Sequence, residues 1–138
     1  MDIHPDRLGK IAMLAALSSR EEEGLFKDYI AKNTKVKIGF TMVSGTRTDV
    51  TRTFVKSIVG CAMQSNLIQH HHNEIHGVIH AGLECLKGLS ADVAAESSLK
   101  VKVAIATDGR WVVVAAYGES AFHPETNHER VGFGVMHI

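Results

Sequence analysis

His76 and His80 stand four residues apart in the stretch running from His72 to Glu84. A helix turns once every 3.6 residues, so this spacing stacks both imidazoles on one face, where they can grip one metal ion. The zinc-peptidase version of the pattern places a general-base glutamate directly after the first histidine. Here that position is Gly77, so the spacing predicts a binding site rather than a hydrolytic one. With nine histidines among 138 residues, such a pair arises readily by composition, and surface histidines explain the spacing as simply as a metal site does.

The rest of the chain narrows the possibilities. Its length suits one domain spanning residues 1–138, and 45% hydrophobic residues suffice for a core without disulfides. Lys+Arg and Asp+Glu both total 15, which argues against a dispersed cationic coat for nucleic acid, although a local patch remains open. Cys61 and Cys85 are too few for a metal knuckle and lie among apolar neighbours, so they read as reduced core thiols. No signal peptide opens the chain and no apolar run reaches membrane-spanning length, which predicts a cytoplasmic protein with no membrane partner. No nucleophile–base pair, phosphate loop or carboxylate dyad stands out, so an enzyme is not expected.

The elements that would position the histidines follow from periodicity. Ile3, Leu8, Ile11, Met13, Leu14 and Leu17 form a helical stripe, with Asp6 at its positive end. Ser18 and Ser19 break it, and Glu21 to Glu23 start a second helix ending near Lys32. Lys35 to Phe40 alternates as a strand. Ser44-Gly45-Thr46 turns into a third helix carrying Val50, Phe54, Ile58 and Cys61. The fourth helix ends near Gly88. Its apolar residues Ile75, Ile79, Leu83 and Leu86 lie about 100° from His72, His76, His80 and Glu84, placing the histidines at the edge of the buried face. His70-His71-His72 reads as the polar start of this helix, with accessory metal binding as the sharper alternative. After a polar stretch at Glu96-Ser97-Ser98, Leu99 to Thr107 alternates, and Asp108-Gly109 forms a hairpin turn rather than a catalytic aspartate. Trp111 to Tyr117 is the most apolar strand and is expected at the sheet centre. A loop from Gly118 to Thr126 precedes a last strand from Glu129 to Ile138. Within it, Gly132 and Gly134 are costly unless a backbone or ligand approaches closely, and His137 faces away from the site or packs at an interface.

Taken together, Trp111 to Gly118, His128 to Ile138, Lys35 to Gly39, the start from Ile3-His4 through Leu17, and His76-x-x-x-His80-Ala81-x-x-Glu84 resemble the HutP family in order. HutP proteins are RNA-binding antiterminators of bacterial histidine-utilisation operons. The resemblance covers nearly the whole chain, with a shorter segment between Gly88 and Trp111. It implies an α/β fold of the α+β type: a four-stranded antiparallel sheet with helices on both faces, assembled as a hexamer built from dimers. It also implies a divalent cation, typically Mg²⁺, held by His76, His80 and His128 together with L-histidine, and RNA carrying spaced NAG triplets. Imidazole chemistry instead favours Zn²⁺ or another transition metal, and three protein ligands leave positions for a chelating amino acid. Glu84 and Glu129 are the nearby carboxylates and are assigned to coordinating or orienting roles around L-histidine. The partner of the ligand's carboxylate is not assigned.

Three positions depart from the resemblance. Val59, Glu96 and Asn127 stand where the family presents polar side chains to RNA bases, while Glu84 is retained. Valine cannot hydrogen-bond a base edge, and glutamate repels phosphate. Arg52 and Lys56, then Arg47, Lys100 and Lys102, are the basic candidates for RNA contact, with ordinary surface charge as the competing explanation. The leading expectation is an L-histidine- and metal-responsive RNA-binding antiterminator. The alternative is a sensor of the same fold whose RNA recognition is lost or changed.

Overall fold

The computed structural model describes residues 4–88, 99–120 and 130–138. Helix α1 (Pro5–Leu17) starts with Pro5 in its first turn, and the His4 imidazole accepts a hydrogen bond from the Asp6 N–H. The predicted break follows at once. The Ser18 hydroxyl donates to the Ala15 carbonyl, and Ser19 and Glu22 exchange backbone–side-chain bonds ahead of α2 (Glu23–Asn33). Strand β1 (Lys37–Gly45) then leads into α3 (Arg47–Gln64), α4 (His72–Gly88), β2 (Leu99–Thr107), β3 (Trp111–Ser120) and β4 (Arg130–His137).

The four strands make one antiparallel sheet in the order β1-β2-β3-β4. Alternation along each strand divides the core in two. Ile38, Ala104, Ala106, Val113 and Ala115 face α1 and Ile30 of α2, while Val43, Val101, Val103, Ile105, Val112, Val114 and Ala116 face α3 and α4. The expected α/β architecture, a four-stranded antiparallel sheet with helices on both faces, is present. Strand β3 is internal, and Val112 to Ala116 have no exposed surface.

Several boundaries differ from the sequence expectation. Strand β1 begins two residues later than expected and continues to Gly45, because Met42 and Ser44 point outward while Val43 is buried. Gly118 to Ser120 extend β3 rather than opening a loop. On α1, Leu14 and Leu17 are 58% and 50% exposed, whereas Ala12, Ala15 and Ala16 are buried. Leu8 and Ile11 of the expected stripe are buried against the sheet together with these alanines, so the first half of the stripe holds. In its last turns the small residues replace Leu14 and Leu17 at the sheet. Ile3, Glu96-Ser97-Ser98 and the remainder of the expected loop, residues 121–126 with Pro124, lie outside the described residues.

The turns are built as their residues predict. Thr46 and Asp49 form a reciprocal capping box at α3, after Gly45 adopts φ +139°. The Asp108 carboxylate accepts from the Arg110 and Trp111 N–H groups, and Gly109 takes φ +93°. Asp108 is therefore a turn residue. Both cysteines are free and buried. Burial pushes the Cys85 thiol up to about 12 and also raises Cys61, which lies near the Phe40 carbonyl and Ser65.

Candidate metal and ligand site on helix α4

Helix α4 is held by its smallest residues. Gly77, Val78, Ala81, Gly82 and Cys85 form its buried face. A β-carbon added at Gly77 would lie 2.1 Å from the Ile138 Cγ2, and one at Gly82 would lie 2.1 Å from the Ile58 Cδ1. On the facing strand, a β-carbon at Gly134 would meet the Ala81 carbonyl oxygen at 1.9 Å. The expected close backbone approach at the β4 glycines thus has a specific partner. Gly132 contributes similarly, since its Cα would sit 3.1 Å from a β-carbon on Gly88.

This seating corrects the predicted orientation. Ile75, Ile79 and Leu86 are half-buried and Leu83 is 43% exposed, so they are not the centre of the packed face. At 100° per residue, His76 and His80 project roughly 160–200° around the axis from Val78. Both are exposed, on the side opposite the sheet rather than at the edge of the core. Glycines 77 and 82 carried the missed signal, because hydrophobicity alone gives no weight to a face defined by close approach.

The structure brings the two rings together, with centroids 4.3 Å apart at an interplanar angle of 53°. His72, one turn earlier, stacks on His76 at 6.3 Å and 17°. Glu84 lies one turn beyond His80 but is ion-paired to Lys87 at 3.0 Å. Among the described residues, no three His, Cys, Asp or Glu side chains converge to hold one metal ion. His128 and Glu129, assigned from sequence to the metal and to L-histidine, lie outside the described residues. The pair that is described fits a divalent metal by donor type: two exposed imidazoles on one rigid helix face.

The basic candidates do not form one surface. Arg52 and Lys56 are exposed one turn apart on α3, whereas Lys100 and Lys102 point to the α1 side of the sheet. Lys102 is corrected as an RNA candidate. It is only 12% exposed, pairs with Glu23, donates to the Ser18 carbonyl and lies 5.3 Å from the centre of the Phe40 ring. Val59 is half-buried against the core on the α3 side, so here that position serves packing. His137 stacks edge-on against Trp111 at 4.9 Å, away from the α4 pair. The Arg47 side chain, Glu96 and Asn127 lie outside what is described.

The HutP family model matches residues 8–136. The chain belongs to the HutP family. A relative from Geobacillus sp. (strain WCH70), named Hut operon positive regulatory protein, is 25% identical over 150 residues, covering 96% of this chain and 95% of its own length. The HutP match includes the whole of α4 and also the position of His128. Among the described residues, no helix is long and apolar enough to cross a membrane.

Proposed function

We propose that this HutP-family chain is a regulator of histidine-utilisation genes that acts as an RNA-binding transcription antiterminator in response to a divalent metal and L-histidine. The observation carrying the proposal is the exposed His76–His80 pair on α4, with ring centroids 4.3 Å apart. The Geobacillus relative's name, Hut operon positive regulatory protein, supports the regulatory setting. His76 and His80 would supply two metal ligands and His128 the third. A bound divalent cation would leave coordination positions for the amino and imidazole nitrogens of L-histidine. The protein's own contribution is orientation: close packing of Gly77 and Gly82 fixes α4, so both rings leave the helix toward solvent. Glu84 and Glu129 take the neighbouring polar roles around the amino acid. This reading assigns no catalytic step to the chain.

Calorimetry tests the site. L-histidine should bind at least tenfold more tightly with Mg²⁺ or Zn²⁺ than with chelator, and His80→Ala should remove the difference. Equal affinity in metal and chelator would overturn the proposal. The proposal also includes a homo-oligomer, a hexamer built from dimers, which sedimentation equilibrium at micromolar concentration would distinguish from a monomer.

A second reading is favoured specifically by Val59, whose side chain packs against the core on the α3 side. In that reading the ligand site is kept while the RNA code differs from NAG triplets, or RNA is replaced by another partner.

A further inference from the structure

The chain carries one more histidine in the row than the proposed site uses. His72, His76 and His80 follow each other at one-turn intervals on the outward face of α4, and all three are exposed. The His72 ring stacks on His76 at 6.3 Å, and His76 faces His80 at 4.3 Å. We infer that α4 holds a second divalent transition-metal position, chelated by His72 and His76, which shares His76 with the His76–His80 pair.

The coordination chemistry sets what this position can do. Metal–nitrogen bonds are about 2.0–2.1 Å, so two nitrogens on one tetrahedral ion lie roughly 3.4 Å apart. Exposed imidazoles four residues apart reach that separation by rotation about their side-chain torsions. A neutral imidazole presents one unprotonated ring nitrogen, so His76 serves one ion at a time. The two positions are therefore alternatives, displaced by four residues or about 6 Å along the helix. Only nitrogen donors are offered, which selects nickel, zinc, copper or cobalt over magnesium.

The two positions are unequal. His72 is the first residue of α4, where the positive helix end disfavours a cation. Glu74, the acid of that first turn, accepts the Gln69 N–H. The His72–His76 position is thus the weaker one, a place where metal is held when His80 is missing or engaged elsewhere. It needs neither L-histidine nor His128, so it stands apart from the proposed sensing function.

Nickel chloride titrations, followed by calorimetry in a His70→Ala/His71→Ala background, test it. The parent should bind one nickel ion on this face. His80→Ala should retain nickel with several-fold weaker affinity, and His72→Ala should retain the tighter position. His72→Ala/His80→Ala and His76→Ala should each lose nickel at least tenfold further. Circular dichroism on each variant confirms that α4 is intact. The inference is overturned if His80→Ala alone loses as much affinity as His76→Ala, or if the double variant binds as well as His80→Ala. Retained nickel binding in His80→Ala, in a protein whose parent shows no coupling between metal and L-histidine, would sink the sensing proposal and leave this one standing.

Discussion

Gly77 shows how a single position can be read for chemistry and serve packing. Its lack of a carboxylate separates this helix from zinc peptidases, but its lack of any side chain admits Ile138. Gly134 is stricter still, because the atom a β-carbon would meet at 1.9 Å is the Ala81 backbone oxygen, which cannot rotate away. Gly134→Ala should therefore destabilise the fold by about 2–3 kcal/mol, the upper part of the usual overpacking range. Gly24 supplies the contrast: it is exposed within α2 with nothing within 4 Å of an added β-carbon. Gly24→Ala should stabilise by about 0.5–1 kcal/mol through helix propensity. Urea unfolding of both variants checks the pair, and a shift of the same sign in each would contradict the argument. Cys85 makes a separate residue-scale prediction. Burial raises its thiol from 9.0 to about 12. Its protonated form is favoured by folding, so its contribution is fully present below pH 9 and is lost as pH rises from 9 toward 12. The loss approaches about 1.4 kcal/mol per pH unit. Between pH 8 and pH 10 the parent should lose more stability than Cys85→Ala, since the other titrating groups are common to both. Parallel losses would refute the assignment.

At the scale of elements, what was legible depended on how each element is held. Helix starts marked by Thr46–Asp49 and Ser19–Glu22, the Asp108-Gly109 turn and the apolar β3 strand all carry local signals, and each forms where its residues predict. The helix faces were harder to read. Helix α1 buries Leu8 and Ile11 beside Ala12, Ala15 and Ala16, and α4 packs mainly through small residues, so Leu14, Leu17 and Leu83 were the members of the expected stripes that face away from the sheet. For the site, the His76–His80 pairing was legible from spacing, whereas its outward direction depended on the Gly77, Gly82 and Gly134 contacts made across the fold. The Lys102–Glu23 pair was illegible for a related reason: 79 positions separate its members, and only the pairing of β2 in the sheet brings Lys102 beneath the α1–α2 corner. There Lys102 also holds the carbonyl of Ser18, the residue that caps the C-terminus of α1. Replacing it with methionine keeps the stem but removes the charge. Lys102→Met should cost about 1–2 kcal/mol, between an exposed pair and a buried one. Because the corner is local, amide exchange should quicken in α2 before the sheet is affected. Unchanged exchange in α2 would show that the pair does not hold this corner.

For the whole molecule, the balance of charge and the division of the surface bear most directly on RNA. Fifteen basic residues are matched by fifteen acidic ones, so the protein as a whole supplies little nonspecific attraction to phosphate. The basic candidates do not add to one another, because Arg52 and Lys56 lie on α3 while Lys100 lies on the other side of the sheet and Lys102 is spent on Glu23. Specificity for NAG triplets would then rest on base contacts, where each good bidentate contact supplies about 1–3 kcal/mol of discrimination. Val59 offers no hydrogen bond and is engaged with the core on the α3 side. Glu96 and Asn127 change two further positions that the family resemblance assigns to base contacts. Losing two or three such contacts lowers specific affinity by several orders of magnitude. We therefore expect NAG-repeat RNA to bind weakly, with little difference from a scrambled sequence, even with metal and L-histidine present. A filter-binding titration at fixed salt provides the measurement. Nanomolar, triplet-dependent binding would show that this HutP-family chain reads the same RNA through residues other than these three, while weak binding alongside intact coupling of metal and L-histidine would favour a sensor with a different RNA code or partner.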